Sequence, residues 1–187
     1  MEPRRFFVGR AIGLLVLVII ALLVAGFFWL NNYIYSEKQG PGGFEQGYKD
    51  STYLVEGQPV TLKNGVSETP AAPGSSSMVT TRVFGNEAEG DLNGDGISDI
   101  AFLLTQSSGG SGTFYYVVAG LKTEGGYAGT NAVLLGDRIA PQTTEIRDGQ
   151  VIVNYAERKP GEPMTAQPSM GVSKYLTVEN GSLVEVR

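Results

Sequence analysis

Five residues in one short stretch have the types and the spacing to hold a metal ion. Asp91, Asn93, Asp95 and Asp99 stand at positions one, three, five and nine of Asp91-Leu-Asn-Gly-Asp-Gly-Ile-Ser-Asp99, and Ile97 at position seven can offer its backbone carbonyl. A donor set made only of oxygen suits a small hard cation, and calcium above all. Gly96, at the sixth position, permits the sharp turn such a loop needs. Asp, Asn and Gly are also ordinary turn formers. What favours a cation is the density of charge: Asp91, Asp95 and Asp99 share one tight turn, Glu87 and Glu89 precede it, and a cation would relieve their repulsion. The expected affinity is that of extracellular calcium modules, about 10⁻⁴ to 10⁻³ M.

Other chemistry is scarce. The chain has 187 residues with no His and no Cys, which removes the commonest general base, the thiol nucleophile, zinc sites and disulfides together. Ser173 and Lys174 are adjacent, so in a strand they point to opposite faces and form no dyad, and no lysine has a forced position beside Ser111. Ser107-Ser-Gly-Gly-Ser-Gly112 has the glycine of a phosphate loop without its Lys-Ser/Thr ending, and reads as a hairpin tip. No catalytic residue is assigned, and the expectation is a protein that is not an enzyme. The alternative is an exported hydrolase, or its accessory subunit, using carboxylates or a serine on the long loops.

The elements that must position the loop begin with a membrane anchor. Residues 11–30 form an apolar run of about 20, and a helix of that length spans roughly the 30 Å of a bilayer core. Such a run is too long for a secretory signal peptide, whose apolar region has roughly 7–15 residues. Arg4, Arg5 and Arg10 precede it while only Lys38 follows closely, which places residues 1–10 in the cytoplasm and the remainder outside. Residues 1–30 hold three of the 14 basic and one of the 19 acidic side chains, so the exported part carries about −7. With no basic stripe, nucleic acid is not an expected partner; the membrane and a protein or surface ligand are. Gly9-x-x-x-Gly13 offers a weak helix-contact motif, interrupted by Arg10.

Beyond the anchor, residues 31–50 read as a flexible linker, 51–66 as a β-hairpin, and 67–77, rich in Pro, Ala and Ser, as a second linker. Residues 78–187 form the main domain, with strands expected at 78–85, 98–106, 112–122, 130–136, 142–147, 150–156, 172–179 and 182–186. Asp148-Gly149 and Asn180-Gly181 mark two-residue hairpin turns, and hence antiparallel order. Ile100, Phe102 and Leu104 alternate with Ala101 and Leu103, and Tyr116 and Val118 with Tyr115 and Val117, so two strands are apolar on both faces and belong at the centre. Phe114, Tyr115 and Tyr116 read as core and sheet surface. Lys159 to Pro168, with three prolines, is a long connection that could present a surface. The fold class is thus mainly β: an N-terminal transmembrane helix followed by an antiparallel β domain of about eight short strands.

Gly90-Asp91-Leu-Asn-Gly-Asp-Gly-Ile-Ser-Asp99-Ile-Ala101 lies between two strand patterns, and position twelve is Phe102 where an EF-hand has its bidentate Glu. The stretch resembles the calcium loop of FG-GAP and integrin-type β-propeller repeats. That resemblance implies Asp91, Asn93, Asp95 and Asp99 as side-chain ligands and Ile97 as a carbonyl ligand. A propeller needs several such repeats and this chain holds one, so the fold is not a propeller. Residues 78–187 are also similar to small exported, membrane-anchored bacterial β domains carrying the same loop, a Gly110-Ser-Gly-Thr-Phe114 strand entry and a Gly136-Asp-Arg138 turn. The function that follows is an extracytoplasmic, calcium-stabilised module for binding, adhesion or scaffolding.

Overall fold

The computed structural model describes Val24, Gly26 and residues 47–186. The chain divides into two units, Met1–Phe44 and Glu45–Arg187. In the first, Val24 and Gly26 are helical. The expected span at 11–30, its arginines and most of the linker at 31–50 lie outside the described residues. Among the described residues no helix is long and apolar enough to cross a membrane.

The second unit is built from antiparallel strands. A one-turn 3-10 helix, Tyr48–Asp50, leads into β1 (Thr52–Val55), β2 (Gln58–Thr61), β3 (Val66–Pro70), β4 (Met78–Gly90), β5 (Asp99–Ser107), β6 (Phe114–Thr123), β7 (Gly126–Gly129), β8 (Val133–Asp137), β9 (Ala140–Arg147), β10 (Gln150–Glu157), β11 (Met170–Glu179) and β12 (Ser182–Glu185). One sheet runs β3-β4-β5-β6-β7, with β8 also pairing β6; a second runs β12-β11-β10-β9; β1 and β2 form a separate ribbon. Four two-residue turns have positive φ at both positions: Glu56-Gly57, Asn64-Gly65, Asp148-Gly149 and Asn180-Gly181. That backbone twist matches the twist of paired strands, and Asn, Asp and Gly tolerate it best.

Strands β5 and β6 bury successive side chains in two different cores. Ala101, Leu103, Val117 and Ala119 point to one cluster, which the four-stranded sheet closes with Val151, Val153, Tyr155 and Leu176. Ile100, Phe102, Leu104, Tyr116 and Val118 point to the other, closed by Tyr53, Val55 and Leu62 from the ribbon and its exit. The central, doubly apolar placement expected of these strands is what the fold contains. The ribbon is bound to the main sheet by backbone as well, since Leu54 N–H donates to the Thr130 carbonyl and Ala132 N–H to that of Leu54. Glycines make the close approach possible: a Cβ on Gly129 would stand 2.2 Å from the Thr52 carbonyl oxygen and 2.7 Å from the Tyr53 ring.

Two expectations change. The segment 67–77 is not wholly a linker, because Val66–Pro70 is an edge strand hydrogen-bonded to β4. Residues 51–66, whose packing the sequence left open, fall in one unit with 78–187. Nine strands, β4 to β12, occupy 78–187 in place of about eight, the additional one being Gly126–Gly129. β4 also runs on to Gly90, past Gly85 at φ 115° and Asn86 at φ 52°, where its register against β5 shifts. Such a bulge keeps a long strand paired while bending it.

At the far edge, Asn131 replaces a missing strand. Its side-chain amide donates to the Leu183 carbonyl and its side-chain oxygen accepts from Leu183 N–H, at 3.0 and 2.7 Å. One planar amide thus satisfies both backbone groups of a residue in edge strand β12.

Candidate functional site

The loop 91–98 leaves β4 at Gly90 and enters β5 at Asp99, whose backbones are paired. Its side chains fold back on its own backbone. Asp91 Oδ1 accepts from Gly94 N–H at 2.7 Å and Oδ2 from Gly96 N–H at 2.9 Å. Asn93 Oδ1 accepts from Asp95 N–H, Asp95 Oδ1 accepts from Ile97 N–H, and Asn93 Nδ2 donates to Asp95 Oδ2 at 3.0 Å. Gly94 and Gly96 have φ of 80° and 81°, a region where a side chain would be strained. The backbone N–H groups of Gly96 and then Gly94 hold the Asp91 carboxyl below the usual aspartate range.

Asp99 is different in kind. It is 1 % exposed, and both its oxygens are used by the fold: Oδ2 accepts from Leu92 N–H at 3.0 Å and Oδ1 from Lys122 N–H at 2.8 Å. A buried carboxylate is tolerated only when hydrogen-bonded, and here the donors come from the start of the loop and the end of β6. Asp99 therefore ties three segments together: β5 at its first residue, the loop at Leu92, and β6 at Lys122. Leu92 is itself buried in the core between the two large sheets.

The structure thus brings Asp91, Asn93 and Asp95 together in one exposed turn and sets Asp99 beneath it. Ile97 exposes its side chain at the tip. Glu87 does not press on the loop. It accepts from the Tyr48 hydroxyl at 2.6 Å and pairs with Lys49 at 3.2 Å, and the Tyr48 hydrogen bond, assisted by Lys49, holds its carboxyl below the usual range. Among the described residues no group of three or more acidic side chains is arranged to hold a metal ion. The donor chemistry nonetheless fits one: each carboxylate oxygen carries two lone-pair sites, and one N–H apiece leaves capacity on Asp91, Asp95 and Asp99.

The residues considered for serine chemistry are not assembled into a site. Lys174 pairs with Glu185 at 2.9 Å, while Ser173 donates to Asn154 on the opposite face of the sheet. A groove that sequence reasoning missed lies at the other end of β4 and β5, lined by Thr80, Arg82, Thr105, Gln106, Ser107 and Thr113. Its signal was present in the sequence, since the apolar alternation of β5 turns polar at Thr105, and Ser107 follows two residues later.

No family model, curated protein or solved structure matches the chain.

Two outcomes test this geometry. Asp99→Asn keeps one acceptor and sets an NH₂ against a backbone N–H, so chemical denaturation should show a loss of about 2–3 kcal/mol; a change within 0.5 kcal/mol, roughly that of an ordinary surface substitution, contradicts the brace. For Asp91, a depressed folded pKa means that its stabilising bonds are fully present above the unfolded value and are lost as pH falls through the folded one. The Gly94 and Gly96 amide resonances should move together with a midpoint below about 3.9, the ordinary aspartate value. A midpoint at or above that value contradicts the assignment.

Proposed function

We propose that the chain is a single-pass, N-in membrane protein presenting an extracytoplasmic β module that binds a surface or protein ligand, with the Asp91–Asp99 loop taking Ca²⁺. The observation that carries the reading is the closed form of the loop. Asp91 receives the N–H groups of Gly94 and Gly96, and the side chains of Asn93 and Asp95 bond to each other. This conformation already orders the turn that carries the oxygen donors an ion would need. Asp91, Asn93, Asp95 and Asp99 would hold the ion through side-chain oxygens and Ile97 through its carbonyl, following the FG-GAP-type pattern of the stretch. When bound, calcium supplies neutralising charge at the β4–β5 connection.

The rest of the chain's chemistry supports binding over catalysis. The Asp99 carboxylate is oriented by one backbone N–H on each oxygen, which leaves lone-pair capacity for an ion, and the Glu56 carboxylate accepts from the Tyr116 hydroxyl at 2.8 Å. Outside the described unit, the apolar run at 11–30 with arginines before it supports the anchor and its orientation.

Thermal or urea unfolding of the full chain in detergent micelles tests the calcium site. At 10 mM Ca²⁺ and a Kd of about 10⁻⁴ to 10⁻³ M, binding to the folded state alone adds roughly 1.4–2.7 kcal/mol relative to excess chelator. Asp95→Ala, an exposed residue, should remove most of that increment while changing the chelated protein little. An equal midpoint with calcium and with chelator for the wild type contradicts the calcium assignment.

A further inference from the structure

The groove at the end of the six-stranded sheet has hydrogen-bonding capacity that the fold does not use. Register places four of its residues in two rows across the strands, Thr80 with Ser107 and Arg82 with Thr105, flanked by Glu68 beside Thr80 and Tyr115 beside Thr105. These positions alternate with Gln106, which turns to the opposite face and donates to the Thr81 hydroxyl at 3.0 Å. The hydroxyls of Thr80, Thr105, Ser107 and Thr113 make no hydrogen bond to a described residue. Arg82 makes none either. Its contact is an ion pair with Glu68 at 3.7 Å, and both side chains are more than half exposed. A pair so long and so exposed is screened and easily displaced.

An aromatic pair stands beside the groove, next to Thr105. Phe84, 45 % exposed, meets Tyr115 edge to face with ring centroids 5.3 Å apart. Tyr115 is the direct cross-strand neighbour of Thr105. The groove encloses about 290 Å³, at the lower end of the roughly 300–1,000 Å³ of small-ligand pockets.

We propose that this groove binds a carboxylate-bearing sugar residue, a uronate within a glycan; the inference rests on the reading of the domain as a binding module. Each hydroxyl is both donor and acceptor, as each ring hydroxyl of a sugar is, so a row of Thr and Ser matches a polyol better than it matches an apolar ligand. The guanidinium is planar and engaged only in the long, exposed pair with Glu68, and its fork fits a carboxylate bidentately. Phe84 and Tyr115 offer apolar ring surface to the C–H face of a sugar. The exported part carries about −7, which opposes long polyanions. The fit is therefore to one acidic residue in a mostly neutral chain. Glu68 competes with that ligand for Arg82.

Calorimetry on the full chain in detergent micelles with calcium present, using a tetrasaccharide that carries one glucuronate among neutral sugars, tests the assignment. Binding is expected for the wild type, at least tenfold weaker for Arg82→Gln, and tighter for Glu68→Gln because the competing carboxylate is gone. The carboxyl-reduced tetrasaccharide should bind at least tenfold more weakly, and acetate alone should not reproduce the affinity. No binding by the wild type, equal binding by Arg82→Gln, equal binding of the reduced sugar, or full affinity for acetate each overturns the proposal. Arg82→Gln leaves the loop at 91–99 untouched, so its calcium-dependent stability should equal that of the wild type. A failure of the groove with the calcium increment intact is thereby separated from a failure of the calcium-braced module itself.

Discussion

The central residues of β5 and β6, 100–104 and 116–121, have no solvent face, and the rest of the described unit follows from that constraint. A pair of strands with apolar side chains on both sides must be covered twice. The four-stranded sheet covers one side, with Val151, Val153 and Leu176 against Leu103 and Val117. The ribbon of β1 and β2 covers the other, with Tyr53 and Val55 against Phe102, Leu104 and Tyr116. This second cover is small, so its fit is made by aromatic contact and by absent side chains. Tyr53 and Phe102 meet edge to face at 5.4 Å, Tyr48 lies tilted against Phe102 at 5.0 Å, and Gly120 and Gly129 leave room for the rings. Burial with two tyrosines nearby raises the Tyr53 hydroxyl well above the usual tyrosine value, and it donates to the Tyr48 carbonyl at 2.7 Å.

The same constraint explains why the polar side chains of β5 are found at its ends. β5 carries its buried carboxylate at its first residue, Asp99, and its hydroxyls and amide at its last three, Thr105 to Ser107. Between these ends every side chain is buried. One end becomes a loop tied into the sheet by a carboxylate, and the other becomes a groove with donors to spare. The Gly136-Asp-Arg138 turn is a third such point. Asp137 accepts from Thr113 N–H, and its Arg138 partner holds its carboxyl below the usual range. Arg158 ties the same turn to the long 158–169 connection, donating to the Asp137 and Arg138 carbonyls and to that of Ala166.

Much of this was legible in the sequence because it follows from local pattern. The double alternation at 100–104 and 115–118 placed the central strands. Asp148-Gly149 and Asn180-Gly181 fixed two hairpins, since few residue pairs accept positive φ twice. The oxygen spacing of 91–99 located the loop, and nothing in that spacing set Asp99 apart as its buried member. What was not legible depends on contacts distant in sequence. Ser67 to Pro70 has the composition of a linker and becomes a strand because β4 offers it an edge. Gly85-Asn86 reads as the end of a strand and is a bulge within one. Nothing local to Asn131 marks it as the partner of Leu183, 52 residues away. The groove escaped because alternating Thr, Arg and Ser at a strand end is also the pattern of an ordinary solvated surface.

The most direct measurement of the double burial is a comparison of two neighbours, Phe102 and Leu103, which point into opposite cores. In a sheet with one wet face, one of the two truncations to Ala would be nearly neutral. Here both residues are fully buried, and equilibrium unfolding of Phe102→Ala and Leu103→Ala should show losses of about 3–5 and 2–5 kcal/mol respectively. A Phe102→Ala variant as stable as the wild type would mean that the ribbon does not cover that face, and would contradict the account.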